Sequence, residues 1–429
     1  MNSGLRFLIA AKLCDIAELQ RLALTSSLVD ATGHLVHALQ RERGMSNLYL
    51  GSQGALCQQA LSAQVQVTDR SEQALRLRLS DLDTAASARG YGARLFSRIA
   101  YVLQGLDALP LLRERVVSLA WTPARATAAY IQLVNGLLAV VFEAADSASD
   151  PLISRRLVAL FNFMQAKEFA GQERATGSAL FAAGQAEPAA QQRLLHLIES
   201  QERCLQVFND FSRAQASPPM GDTAQAATPA VQERLRRILC TAPAGGLLDT
   251  HLSQIWFDAC TEGIDALKRH EEQLCAGLRT LCDERTASAT ADLVAHQQLL
   301  DRPADETAPF DEASSFFGAG MDAKVEGRGA EPASGQGYGP QVARSILDLV
   351  HDQARRLQAV SDELETVRAS LNERRLIERA KGLLMAHRSL REDEAHKTLR
   401  QMAMNQNRRI VDVAEALLSM ADVLPERSR

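Results

Sequence analysis

The chain of 429 residues is longer than one hydrophobic core normally supports, so two or three domains are expected. Apolar residues make up 46% of the chain and aromatic residues only 5%, a balance that favours an all-α protein. The net charge of −5 does not support nucleic-acid binding by the chain as a whole, although an average can hide a basic segment. The seven cysteines show no CxxC pair and no zinc spacing, which argues against a disulfide framework or a metal site.

Two features of the sequence predict a cytoplasmic protein. Residues 1–25 carry Lys12, Asp15, Glu18 and Arg21 within an apolar pattern, so they indicate an amphipathic helix and not a signal peptide. No stretch is expected to approach the roughly 18 charge-free apolar residues that a membrane span needs.

In chain order, apolar residues recur at helical spacing from residue 5 to about 295, with interruptions that are typical of helical bundles. Residues 301–340 are rich in Gly, Pro, Ala, Ser and acidic residues and cannot form a core, so they predict a flexible linker. The predicted domains are a helical domain at 1–298, a linker at 299–341, a coiled-coil helix at 342–371 and a three-helix domain at 372–425.

The predicted helix at 28–50 places a permanent charge on its buried face. Val36, Leu39 and Arg43 follow one another at spacings of three and four, whereas Arg41 is turned to the opposite side. Glu42 lies about 100° around the helix from Arg43 and is a poor partner for it. Because a buried guanidinium is costly unless an anion pairs with it, Arg43 is a candidate anion ligand, and its removal is expected to spare or slightly raise stability.

Two further helices carry arginines of the same kind. Residues 166–184 repeat the Glu-Arg pattern with Arg174 in the place of Arg43. Residues 231–240 offer Arg234, Arg236 and Arg237, of which Arg234 is expected to lie closest to the apolar stripe. The alternative, which the residue chemistry alone favours, is that these arginines form ordinary salt bridges inside the bundle with Glu42, Glu173 or Glu233.

Three segments together resemble the NIT (nitrate- and nitrite-sensing) domain: QRERGMSNLYL, AGQERATG and W-x₃-C-T-E-G-I-D-A-L from Trp256. The resemblance covers about residues 25–295. It implies two packed four-helix bundles that hold nitrate or nitrite between helices by arginines. That role is carried over to Arg43, Arg234, Arg174 and Arg236, and the resemblance favours an anion pocket over the salt-bridge alternative.

A short heptad pattern precedes the last domain. Its a/d positions are Val350, Gln353, Leu357, Val360, Leu364, Val367 and Leu371. Two interpretations remain open: a coiled coil that makes a homodimer, which is favoured, or one amphipathic helix that packs on its own chain.

The segment from Arg368 to Arg409 has eleven basic and five acidic residues, a local charge of +6 that suits phosphate groups. Its motifs, I-E-x-A-K-G-L-L-M followed by E-A-x-x-x-L-R-x-x-A-M-x-x-N-R-x-I-x-D-V-A, resemble the ANTAR domain over about 365–422. The resemblance implies binding to a leader RNA with two stem-loops, which prevents formation of a terminator. The residues assigned to RNA are Lys381, Arg379, Arg374, Arg375, Arg388, Arg400, Arg408 and Arg409. Residues 341–429 contain no aromatic residue, so bases cannot stack on rings there.

The two resemblances predict a nitrate- or nitrite-responsive antitermination regulator of nitrate-assimilation operons that needs no cofactor. One hairpin bound by each subunit would give a dimer its advantage. A further hypothesis is that the empty sensor shields the RNA-binding face and that the bound anion releases it. No P-loop, GxSxG or paired E-x-x-H motif supports an enzyme. The alternative is a helical sensor or scaffold controlled by another small anion or by a partner protein.

Overall fold

The structure is a computed structural model that describes residues 3–82, 92–212, 230–300, 338–388, 390, 392–406 and 408–421. These residues are almost entirely helical, and the only β-type pairing among them is an isolated bridge between Gln185 and Leu247. The predicted all-α class is therefore confirmed. Most of the predicted linker, residues 301–337, lies outside the described residues.

The first five helices are α1 (Ser3–Gly51), α2 (Gln58–Ser80), α3 (Ala93–Asp107), α4 (Leu109–Val117) and α5 (Pro123–Asp146). They are followed by α6 (Pro151–Ala183), α7 (Pro188–Ser212), α8 (Ala230–Thr241) and α9 (Leu252–Leu300). The last three are α10 (Tyr338–Arg388), α11 (Glu392–Gln406) and α12 (Ile410–Ala421).

The chain forms two compact units that cross the predicted domain boundaries. The first unit contains residues 1–23 and 280–364, and within it Lys12 Nζ lies 3.4 Å from Asp292 Oδ2. The second unit contains residues 24–279, which we call the bundle segment, and residues 365–429, whose described part we call the C-terminal segment. The sites described below all lie in the second unit.

The bundle segment is built from two groups of helices, in agreement with the predicted pair of bundles. In the first group, α2 reaches α1 through the bond from Gln64 Nε2 to the Ala38 carbonyl oxygen (3.1 Å), and α3 packs against α5. In the second group, α6 packs along α7, while α8 and α9 close a core around Trp256 and Phe181. Asp150 caps the start of α6. Gly184 caps its end with a φ of 68°, a conformation that glycine adopts at little energetic cost.

Two stretches, 93–117 and Pro123–Asp146, are long and apolar enough to pass a length-and-composition test for a membrane span. The prediction that no stretch comes near this limit was therefore wrong, since residues 126–142 of α5 carry no charge. A bend at Ala108 divides the first stretch into α3 and α4. Helix α5 packs against α3 and α6 and has most of its apolar stretch buried, as the core helix of a bundle does.

The C-terminal segment is a three-helix bundle, as predicted. The end of α10 packs against α11 and α12 around Ala380, Leu384, Leu399 and Val413. Toward the N-terminal end of α10, Leu364, Val367 and Leu371 of the heptad pattern are buried within the single chain, whereas Val360 is half-buried. This burial favours the interpretation of one amphipathic helix for this end of the heptad pattern, while dimerisation stays a prediction.

Candidate functional site

Helix α1 turns its second arginine into the protein, as the apolar spacing predicted. Leu39 is fully buried and Arg43 is only 2% exposed, because they lie one turn apart on the face that meets α6. Arg41 is exposed on the other side of the helix. The predicted orientation of this helix is therefore confirmed.

Arg43 has an internal partner that the sequence did not predict. Its Nη1 and Nη2 donate to the two carboxylate oxygens of Glu168 on α6, at 2.5 and 3.4 Å. Gln40 and Gln172 also donate to this carboxylate, each at 2.8 Å. The premise that Arg43 lacks an internal partner was therefore wrong, and because Glu168 is fully buried we now expect removal of Arg43 to lower stability.

Arg174 on α6 is the buried arginine without a carboxylate partner. It is 8% exposed, donates from Nη1 to Thr261 Oγ1 at 2.9 Å, and lies 4.7 Å from the ring centre of Phe257. No carboxylate lies within ion-pair distance of it in the described part of the chain. Burial, reinforced by the nearby Arg43 guanidinium, lowers the pKa of Arg174 to about 10.

Two glycines let α1 and α6 approach each other at these arginines. A β-carbon at Gly171 would lie 2.9 Å from Arg43 Nη2, and one at Gly44 would lie 3.1 Å from Arg174 Nη2. Each arginine therefore rests on the glycine of the opposite helix. The Glu-Arg repeat of the sequence becomes a reciprocal contact, in which each guanidinium group lies beside the other helix and only that of Arg43 is paired with the Glu168 carboxylate.

The glutamate of each repeat points away from this contact and pairs with an arginine of its own bundle. Glu42 accepts from Arg113 Nε at 2.8 Å and from the Tyr130 hydroxyl at 2.8 Å. Glu173 accepts from Arg236 Nε and Nη2, both at 2.6 Å. The salt-bridge alternative was thus correct for Arg236. Arg113 was missed because it lies in a short helix whose pattern gave it no special position.

A second buried charge cluster lies on α6 and α9. Lys167 Nζ is 2.5 Å from Glu271 Oε2, and Lys268 Nζ is 3.0 Å from Glu271 Oε1. Burial first, then Lys167 and Lys268, lowers the pKa of His37 on α1 to about 2, so this imidazole is neutral. Together with the first site, the interior between α1, α6 and α9 has two lysines and two arginines against two glutamates.

The C-terminal segment contacts the bundle segment through its basic side chains. Arg374 donates to Asn162 Oδ1 at 2.8 Å and lies over the Phe161 ring at 4.7 Å. Arg375 is 2.8 Å from Asp146 and lies over the Phe142 ring at 5.5 Å.

Two further contacts on α11 extend this interface. Arg400 forms a 2.8 Å ion pair with Glu199 of α7. Arg203 of α7 is 3.2 Å from His396 Nε2, and since arginine can only donate, this nitrogen must accept. Burial, and then Arg203 itself, lowers the pKa of His396 to about 3, which keeps the acceptor unprotonated.

Comparison with known proteins identifies these two segments. Residues 34–279, more than half of the chain, match the family described as nitrate and nitrite sensing, NIT. The chain belongs to the NIT family. Residues 365–418 match the ANTAR domain. The family assignment made from the sequence motifs is confirmed for both domains.

Two relatives match this chain over nearly their whole length. A nitrate regulatory protein of Klebsiella oxytoca is 32% identical over 404 residues, which is 94% of this chain and 91% of that protein. A solved structure of the NasR transcription antiterminator is 30% identical, with a TM-score of 0.59, and the match covers 98% of this chain and 99% of that one. The bundle segment is therefore the NIT domain, and the C-terminal segment is the ANTAR domain.

In the NIT domain, the prediction that Arg234 is the arginine of α8 that faces inward was wrong. Arg234 is exposed, whereas Arg236 turns inward to Glu173. The error came from the apolar stripe assumed for α8. Val231 and Ile238, which were assigned to the buried face, are 41% and 37% exposed, and Gln232 is buried instead. Because the polar residue Gln232 belongs to the buried face, the centre of that face lies closer to Arg236 than the apolar residues alone indicated.

In the ANTAR domain, Lys381, whose assignment to RNA had the strongest support from the family resemblance, is not on the accessible surface. Lys381 is 7% exposed, and its Nζ lies 2.9 Å from both Glu378 and Glu392. Although burial lowers its pKa, the two carboxylates outweigh this effect and raise it. Exposure of Lys381 to RNA would require these ion pairs to break.

The other arginines assigned to RNA fall into two groups. Arg374, Arg375 and Arg400 face the NIT domain, as described above. Arg379, Arg388, Arg408 and Arg409 are exposed, and among the described residues only Arg409 of these four forms ion pairs, with Glu373 at 3.3 Å and Asp412 at 3.2 Å. The basic face is thus divided between arginines that contact the NIT domain and arginines that do not.

Proposed function

We propose that this protein is a nitrate- and nitrite-responsive transcription antitermination regulator. Its NIT domain binds the anion at Arg43 and Arg174, and its ANTAR domain binds leader-RNA hairpins and prevents formation of the terminator. The observation that carries the proposal is the pair of buried guanidinium groups, of which Arg43 is paired with Glu168 and Arg174 has no carboxylate partner in the described residues. The names of the two relatives, a nitrate regulatory protein and an antiterminator, support the same function.

The charge at the site suits a monoanion. Arg43 and Arg174 contribute two positive charges and Glu168 one negative charge, so the buried group has an excess of one. Nitrate and nitrite are planar monoanions whose oxygens fit guanidinium N–H donors. Arg174 has donors without a carboxylate partner, and we assign it the leading role. Arg236 supports the site by neutralising Glu173, and Arg234 is withdrawn as an anion ligand because it is exposed.

Titration of the full-length protein with nitrate, nitrite and chloride by isothermal calorimetry tests the proposal. Nitrate and nitrite should each bind once per chain, and chloride should bind at least tenfold more weakly because it offers no planar set of oxygens. Arg174→Met should abolish binding, since it removes the arginine without a partner. Binding of chloride alone would favour the alternative of another small anion, and no binding of any anion would favour control by a partner protein.

The close contact at Gly171 gives a second prediction. Gly171→Ala would place a methyl group 2.9 Å from Arg43 Nη2 and displace the guanidinium. We expect nitrate affinity to fall by about tenfold, while Gly51→Ala, which has open space around it, serves as the matched helical control. Nitrate titration checks both variants, and equal affinities would show that Arg43 does not contact the anion.

We propose that the empty NIT domain restrains the ANTAR domain and that the anion releases it. Arg374, Arg375 and Arg400 are all on the side that meets the NIT domain. In this position the guanidinium groups of Arg374 and Arg375 are partly buried, and that of Arg400, although half exposed, is paired with Glu199, so RNA phosphates would have to compete with these contacts. Anion binding between α1 and α6 changes how these two helices pack. Their neighbouring helices contact the ANTAR domain, so the anion site and the contact between the domains are coupled.

We further propose that the released protein acts in the cytoplasm as a homodimer, with one hairpin per ANTAR domain. Leu364, Val367 and Leu371 are buried within one chain here, so an intermolecular seam through them requires the same opening. Dimerisation and release would then occur together, and the second hairpin would bind at a high effective concentration.

A further inference from the structure

A large cavity lies where the ANTAR domain meets the NIT domain, and its lining does not include Arg43 or Arg174. Its volume is about 1140 Å³, and it is lined by α3, α5, α6 and α7 of the NIT domain together with α10 and the start of α11. Ligand pockets of enzymes and receptors are commonly found at such domain contacts. The cavity is therefore large enough for a metabolite of nucleotide size.

The lining of the cavity is strongly basic. Six arginines and one lysine face three glutamates, which leaves an excess of four positive charges. Lys381 is neutralised by Glu378 and Glu392, and Arg375 by Asp146. These pairs use two of the three glutamates of the lining, so most of the remaining cations have no equal counter-charge.

Three of these arginines, Arg193, Arg374 and Arg379, have no carboxylate within ion-pair distance in the described residues. Arg374 is held by Asn162 and the Phe161 ring. This leaves Arg193 of α7 and Arg379 of α10, one from each domain. Arg94 and Arg98 lie 3.9 Å from their nearest carboxylates and are 65% and 53% exposed, so their pairing is loose. Guanidinium groups placed this way are suited to phosphate, whose oxygens they bind in a bidentate manner.

We propose that this cavity binds a small phosphorylated metabolite with two or more negative charges, bridged between Arg193 and Arg379. With Asp146 counted against Arg375, three excess positive charges remain, of which a monoanion such as nitrate would neutralise only one. Since the ligand would contact both domains, it would stabilise their contact and oppose RNA binding. By linkage it would also weaken nitrate binding if nitrate releases the ANTAR domain, as the proposed function holds.

The test uses full-length protein without nitrate, titrated with metal-free ATP and with inorganic triphosphate. Binding to the wild type is expected for both probes if the phosphates alone are recognised, and tighter binding of ATP if its organic part is also contacted. Arg193→Ala and Arg379→Ala should each weaken binding by about tenfold or more, because each removes a charge-assisted pair. Arg234→Ala removes an exposed arginine outside the cavity and should leave the affinity unchanged.

Three results would overturn the proposal. The first is no binding of either probe at millimolar concentration, and the second is wild-type affinity in Arg193→Ala, which would place the probe on the ANTAR domain alone. The third is a loss of leader-RNA affinity in Arg193→Ala with nitrate present, which would assign this arginine to RNA. Nitrate titration of the same variants separates this proposal from the anion site, since the cavity variants should retain nitrate binding.

Discussion

Replacing Arg43 with alanine should abolish nitrate binding and lower the free energy of unfolding by about 3–5 kcal/mol. The variant loses one of the two guanidinium groups at the anion site. It also leaves Glu168, which is fully buried, without its charged partner. Calorimetric titration with nitrate and urea unfolding of the same preparation measure the two effects.

A double variant separates the two effects of this substitution. Arg43→Met with Glu168→Gln removes both charges, so it should recover most of the stability but not the nitrate affinity. Arg41→Ala is the matched control, because Arg41 is exposed on the opposite side of α1 and should behave like the wild type. Wild-type nitrate affinity in the double variant would refute the assignment of Arg43.

Reversing the charges that hold the ANTAR domain should allow RNA binding without nitrate. In the Asp146→Lys, Glu199→Lys variant, Arg375 and Arg400 each face a like charge instead of a partner. Single pairs of this exposure contribute only about 0.2–1 kcal/mol, but two reversals add repulsion to that loss. We expect leader-RNA affinity without nitrate to rise by about 10- to 100-fold, within the usual range of coupling energies.

The control for this variant must carry the same net charge. Glu114→Lys with Asp258→Lys reverses two exposed carboxylates of the NIT domain that form no ion pair with the ANTAR domain in the described structure. Its RNA affinity should still depend on nitrate. Filter binding or fluorescence anisotropy with a two-hairpin leader RNA compares the two variants. If both require nitrate equally, restraint by the NIT domain is not the mechanism.

The sequence predicted features that depend on local spacing. Arg43 was placed on the buried side of α1 and Arg41 on the outer side, because both follow from the helical repeat. The ANTAR helices were predicted for the same reason, together with their distinctive motifs. Such patterns report which face of a helix is buried, and they carry no information on what covers that face.

The partners of the buried charges could not be predicted in this way. Glu168 lies 125 positions after Arg43 and belongs to a different helix, so no spacing rule connects them. The choice between Arg234 and Arg236 failed because one buried glutamine, Gln232, shifted the stripe. Lys381 was assigned to RNA on resemblance, and only the structure shows two carboxylates around it.

The single excess charge at Arg43 and Arg174 has a consequence for which anions the protein can distinguish. Sulfate or hydrogen phosphate, as a dianion, would overcompensate the site and leave a buried negative charge. Such ions also hold their water shells more strongly, so their transfer into a buried site is more costly. A weakly hydrated monoanion avoids both costs. Charge number and ease of dehydration would thus exclude the abundant oxyanions before shape is compared, and the site would need shape only to separate nitrate from nitrite and halides.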